Sequence, residues 1–125
     1  MNQLSLIGRI VRPIELQEVG AGRFVANNTL AVQRLKKKED GQSQADFIPI
    51  VVWDKLAHLL KQYCSKGSLI GVNGRLASRS YTNGNNQKVY VVELIVDDLH
   101  FIDPKKKQDT QETTSDSPDI VELPF

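Results

Sequence analysis

The stretch from Ala45 to Lys66 constrains the fold most, because an apolar run, ADFIPIVVW, passes without a spacer into an amphipathic segment, DKLAHLLKQYCSK. Strand side chains alternate between faces, so Phe47, Val51 and Trp53 point one way and Ile48, Ile50 and Val52 the other. A strand covered on one side needs only one apolar set. The aliphatic set therefore reads as core and the aromatic set as a surface kept apolar for another purpose. Taken alone, the stretch also admits a strand buried on both sides, with Phe47 and Trp53 as core. In the segment that follows, Asp54 is placed to N-cap a helix carrying Leu56, Leu59, Leu60 and Tyr63 on one face, with Gly67 ending it in the left-handed conformation. Pro49 lacks an N–H and must sit where the ladder is open or bulged.

The other elements read as partners of this unit. Leu4–Val11 is a strand, with Gly8 a candidate bulge, ended by Arg12-Pro13. Gly20-Ala21-Gly22 forms a turn, and Arg23–Val32 returns as a second strand hairpinned onto the first. Arg34–Gly41 is a polar loop with Lys36, Lys37 and Lys38 in succession, a pattern that also fits a merely solvated loop tip. Leu69–Tyr81 is a long strand in which Ile70, Val72, Gly74 and Leu76 face the core and Asn73, Arg75, Ala77, Arg79 and Tyr81 face away. Asn83-Gly84-Asn85-Asn86 closes a hairpin into a fifth strand from Lys88 to Val96 that continues to Phe101. Five strands with one short helix between the third and fourth is the order of the OB-fold, an all-β, five-stranded Greek-key barrel.

Residues 1–103 make one domain, large enough to bury a core without disulfides or metals. Residues 104–118 are too polar to offset the entropy of ordering and read as a disordered linker, followed by a separate tip at 119–125. The single cysteine, Cys64, excludes an intramolecular disulfide. No apolar run reaches the roughly 18 residues of a membrane span, and the N-terminus lacks a charged region and a cleavage site. These features fit a cytoplasmic protein. The net charge of +1 hides a segregation: all 16 Lys and Arg fall in residues 1–107 against 10 acids, while the last eighteen residues hold the other five acids and no cation. A basic body suits a polyanionic partner, and an acidic tail suits a basic protein or competes for the body's own site.

No catalytic constellation is present. His58, His100 and Cys64 are too scattered for metal-ligand spacing, and Asp97-Asp98, being adjacent in a strand, face opposite sides. No phosphate-binding glycine motif occurs, so no cofactor is expected. What the chain does carry is three aromatics, Phe47, Trp53 and Tyr81, among the cations Lys36, Lys37, Lys38, Arg75, Arg79 and Lys88. Aromatic rings stack on unpaired bases whatever their identity, and cations track phosphates; a duplex hides the base faces, so such a surface prefers single strands.

These segments resemble the bacterial single-stranded DNA-binding proteins. The resemblance rests on NQLSLIGRIV at the start, TLAV at Thr29–Val32, ADFIPIVVWDKLA at Ala45–Ala57, KGSLIGVNGRLASRSY at Lys66–Tyr81 and VYVVEL at Val89–Leu94, in order over nearly all of residues 1–104. It implies an OB-fold homotetramer, first strands paired across one interface, that sheathes unwound DNA in the bacterial cytoplasm, at the nucleoid, during replication, repair and recombination. It places Phe47, Trp53 and Tyr81 at stacking positions. One position departs: a fourth aromatic common after the TLAV strand is replaced by Leu35-Lys36, which implies lower affinity and greater salt sensitivity. The end of the chain, Asp119-Ile120-Val121-Glu122-Leu123-Pro124-Phe125, resembles the acidic Pro-Phe tip with which that family docks repair and replication proteins, although it has fewer acids and a shorter linker. On this pattern Asp119, Glu122, Pro124 and Phe125 are the docking residues. Three other readings remain: a primosome-type OB assembly factor, an RNA-binding OB module, and an oligomeric scaffold whose aromatics are interface residues.

Overall fold

The computed structural model describes residues 1–35, 41 and 44–103. Lys36, Lys37 and Lys38 and the proposed linker and tip lie outside the described residues. Six strands and one helix follow in the order β1 (Leu4–Ile10), β2 (Gln17–Glu18), β3 (Phe24–Gln33), β4 (Ala45–Trp53), α1 (Asp54–Tyr63), β5 (Leu69–Thr82) and β6 (Lys88–Phe101). The sheet runs β1-β5-β6-β4-β3-β2, and an additional β1–β3 pairing joins its ends. Five strands thus close a ring, as the OB-fold requires. β2 is an appendage: Gln17 and Glu18 pair with Val25 and Phe24, so the hairpin expected between the first two long strands is formed with β2 instead. β1 meets β3 only at Arg9 and Ile10.

The core is the inner face of this ring. Leu30, Ile50, Val52, Ile70, Val72 and Leu94 are all no more than 1% exposed, and full burial of such side chains contributes about 1.5–3 kcal/mol each. Leu60 and Ala57 of α1 join the same cluster, with Leu56 and Tyr63 packed at its margin. Of the even-numbered aliphatics of β4, Ile50 and Val52 are core, while Ile48 is only partly buried and stands outside the cluster. Asn28 is the more buried of two buried polar residues among the described residues, at 2% exposure against 8% for Glu93. Its Oδ1 accepts from the backbone N–H of Arg12 and Thr29 and its Nδ2 donates to Arg12 O, so the buried amide is satisfied.

Several expectations need correction. No bulge occurs at Gly8, since β1 pairs with β5 in unbroken register from Leu4↔Gly74 to Arg9↔Leu69. Glycine is needed there because a Cβ would lie 2.5 Å from Ala31 O, where β3 crosses to close the ring. The helix stops at Tyr63, with Cys64 N donating to Leu60 O. Gly67 is left-handed (φ 93°) but belongs to the turn after the helix, where its N–H donates to Ile10 O. Leu76, expected in the core, is 43% exposed. β1 covers β5 only as far as Gly74, and β6 pairs with β4 only at Leu94 and Ile95, opposite Leu76 and Arg75, so beyond Leu76 β5 and β6 leave the barrel as a two-stranded arm.

Pro49 is accommodated by ladder phase. Arg34 N donates to Gln44 O, so in the β3–β4 register the pairs with even β3 numbers share the hydrogen bonds and Thr29↔Pro49 is a non-bonded pair. The proline nitrogen then points away from β3, toward a side where β4 is paired with β6 only at Ile50 and Val51. No ladder bond is lost.

Candidate nucleic-acid interface

Register places most of the expected contact residues on one outer face. Phe47 and Trp53 lie on it in β4, opposite Ala31 and Val25 of β3. Val51 pairs with Ile95 of β6, which pairs with Arg75 of β5, and the same face continues through Ala77, Arg79 and Tyr81. Both Thr29↔Pro49 and its neighbours of the same phase are non-bonded pairs, whose side chains approach closest. Across such a pair Phe47 meets only the small Ala31 and stays 63% exposed. Trp53 meets Val25, itself 5% exposed, and is half-buried. Val51 on this face is also buried, so the outer surface is apolar floor near Trp53 and open platform near Phe47. Tyr81, 48% exposed, stands on the arm.

Lys88 is not brought to this face. It pairs with Thr82, one position beyond Tyr81↔Val89, and a one-residue step reverses the side of the sheet. Its Nζ lies 5.7 Å from the ring of Tyr90, which is 72% exposed on that opposite surface. Tyr90 was not singled out from sequence; the alternation Lys88, Tyr90, Val92 is the signal that separates it from Tyr81.

The arginines differ in how free they are. Arg75 is exposed and has no ion-pair partner among the described residues. Arg79 Nε donates to Glu93 Oε2 at 3.1 Å, and Glu93 is 8% exposed, so half the guanidinium is anchored to a buried carboxylate. Arg23, which sequence reasoning missed, lies with its guanidinium carbon 4.6 Å from the Trp53 ring centroid. Its Nε and Nη2 donate to Asp54 Oδ2 at 3.1 and 2.8 Å, while Phe24 N donates to Asp54 Oδ1 at 3.0 Å. Asp54 is consequently not the helix N-cap: the cap position is Trp53, without a side-chain bond, and Asp54 itself has φ 50°. These donors, the Arg23 side chain first, hold the Asp54 carboxyl below its ordinary value of 3.8. A depressed carboxyl contributes stability that is complete above its ordinary range and lost as pH falls through the lowered value, so the pair is fully formed at neutral pH.

Neither histidine joins the face in a metal-binding group. His58 packs edge-on against Phe24 at 4.9 Å, and His100 Nε2 lies 3.1 Å from Asn73 Nδ2 and 3.3 Å from Asp98 Oδ2. Among the described residues no three His, Cys, Asp or Glu side chains cluster as metal ligands, and no helix is long and apolar enough to cross a membrane.

A closed OB barrel with aromatic platforms and arginines on one outer face defines a binder of unpaired nucleic acid strands. The chain belongs to the single-strand binding protein family, which residues 1–102 match, a family of DNA-binding proteins and not of enzymes. It is 46% identical to single-stranded DNA-binding protein 1 of Staphylococcus aureus (strain Mu50 / ATCC 700699) over 90% of this chain and 72% of that one. Its identity to single-stranded DNA-binding protein B of Bacillus subtilis (strain 168) is 42%, over 86% and 95% of the two chains. Among solved structures, the Plasmodium falciparum SSB complex with ssDNA superposes with a TM-score of 0.73 at 29% identity, covering 82% of this chain and 96% of that one.

Proposed function

We propose that this protein binds and protects single-stranded DNA without regard to sequence during replication, recombination and repair, and that it recruits partner proteins through Asp119, Glu122, Pro124 and Phe125. The outer face carrying exposed Phe47, Tyr81 and Arg75 supports this reading best, because it offers ring stacking, which is indifferent to base identity, together with phosphate contacts. It works as a homotetramer. In support, among the described residues β1 has no strand partner on its β3 side from Leu4 to Gly8, an edge suited to the first strand of a second copy. Titrating Trp53 fluorescence with poly(dT) at two salt concentrations tests the reading: a saturable change that weakens with salt supports it, and no change rejects it. Competition between dT and rU oligomers separates it from an RNA-binding role.

Phosphate contacts release counterions with a slope of about −0.7 each on single strands, whereas stacking is nearly salt-independent. Replacing Lys36, Lys37 and Lys38 together by Ala is therefore expected to flatten the salt slope by about 2. An unchanged slope would leave these lysines as solvated surface.

Removing Phe125 alone is expected to abolish capture of basic partner proteins while leaving DNA affinity unchanged, since its ring is the tip's specific anchor beside the carboxylates of Asp119 and Glu122. Deleting residues 109–125 instead should tighten DNA binding at low salt. That gain should fade near physiological ionic strength, where the Debye length is about 8 Å. A pull-down that survives loss of Phe125 would reduce the tail to an electrostatic competitor.

A further inference from the structure

Trp53 differs from the other two platforms in being half-buried and in carrying a guanidinium against its ring. Val25 is its cross-strand neighbour in a close non-bonded pair, and the Arg23 guanidinium carbon lies over the ring, 4.6 Å from the centroid. Arg23 is not resting there by chance of rotamer: two of its N–H groups converge on Asp54 Oδ2, and the Asp54 carboxylate is aimed by a third bond, from Phe24 N, and by its own left-handed backbone. The pair is exposed enough to meet a ligand, with the Arg23 and Asp54 side chains 55% and 45% accessible. A guanidinium beside an aromatic ring that gives two N–H bonds to one carboxylate oxygen has the same donors to offer a phosphate diester.

We propose that Arg23 is a DNA contact residue latched over Trp53 by Asp54, and that the incoming strand releases the latch by exchanging the carboxylate for a backbone phosphate. This inference rests on the single-strand-binding reading above. In the free protein Asp54 stands in for the phosphate and keeps the ring covered. When a phosphate takes over the guanidinium, Arg23 swings off the outer ring face, a base stacks in its place, and Asp54 keeps its bond to Phe24 N. Phe47 and Tyr81, already open, engage first; Trp53 engages only a strand that carries charge. A cation on the strand's path that was missing from the sequence reading is thereby supplied from the β2–β3 turn, 31 residues from its partner.

The test is a cycle on Asp54→Asn and Arg23→Ala, read with a dT oligomer and with the fluorescence of Trp53, the chain's one tryptophan. Asparagine tolerates the left-handed backbone and still accepts from Phe24 N, so Asp54→Asn removes the charge without removing the turn. It is expected to tighten binding about two- to fivefold, the worth of one exposed ion pair, and to do so only when Arg23 is present. In DNA-free protein, Arg23→Ala is expected to increase quenching of Trp53 by acrylamide, because the outer face becomes accessible. An equal gain from Asp54→Asn in both backgrounds would overturn the latch, leaving Asp54 a simple repulsion of DNA. Unchanged acrylamide quenching would overturn the cover itself. Should the parent protein fail to bind dT while acrylamide still finds the ring uncovered in Arg23→Ala, the DNA reading fails and the Arg23–Trp53 contact stands without a ligand role.

Discussion

Phe47→Ala and Tyr81→Ala are each expected to weaken binding to poly(dT) by about 1–3 kcal/mol, the range for one stacked base, while leaving folding stability within about 0.5 kcal/mol of the parent. The expectation follows from exposure. Phe47 is 63% accessible across from Ala31, and Tyr81 stands on the arm beyond the barrel, so neither ring contributes much to the core. Trp53→Ala should behave differently, losing stability as well as affinity, because Trp53 is half-buried and its cross-strand neighbour Val25 is buried. Paired fluorescence-anisotropy titrations and thermal melts of the three variants would check this. Equal losses of stability in all three, with unchanged affinity, would make the aromatics interface or core residues and favour the scaffold reading.

The largest loss of stability is expected from Gly74→Ala. A Cβ there would sit 2.0 Å from Ile95 O and 2.9 Å from its carbonyl carbon. The cause is a register shift: Asn73 pairs with Asp98 but Gly74 with Val96, so Asp97 is an extra residue that brings the β6 backbone in over the glycine. Backbone cannot move aside as a side chain can. The cost should lie at or above the upper end of the usual overpacking range, about 3 kcal/mol, or a fall in Tm of roughly 12–24 °C for a domain near this size. A melt within a few degrees of the parent would mean that the bulge can relax without the glycine.

The bulge also shows why part of this fold was legible in the sequence and part was not. Ile50, Val52, Ile70 and Val72 alternate cleanly in strands covered on one side, and periodicity alone assigns them to the core. In β6 the inward residues are Leu94 and Val96 before Asp97 and Leu99 after it, a change of phase that alternation cannot announce. Lys88 was misplaced without any change of phase: alternation from Lys88 through Tyr90 and Val92 to Leu94 already sets it on the side opposite Tyr81. Leu76 looked like core because nothing local marks where β1 stops covering β5. Phe47, Trp53, Arg75, Arg79 and Tyr81 were legible as a set because each lies in a long strand of constant phase. Arg23 and Asp54 were not: each has an ordinary local explanation, a turn residue and a helix cap, and only the β3–β4 register reveals that they meet.

The closure of the ring by its first strand bears on how the chain comes off the ribosome. β1 is made first but pairs along most of its length with β5, Leu4 with Gly74 and Arg9 with Leu69, partners 70 and 60 residues away. Until β5 emerges, a nascent chain can form the β3–β4 hairpin and little else, with Ile10 and the inner faces of that hairpin in water. High contact order of this kind slows folding and lengthens the exposure of unpaired strand edges. Translation pausing between β4 and β5 should therefore be the moment at which this protein is most dependent on chaperones, and shortening the α1 segment that delays β5 would be felt in yield before it was felt in the melting curve of the finished barrel.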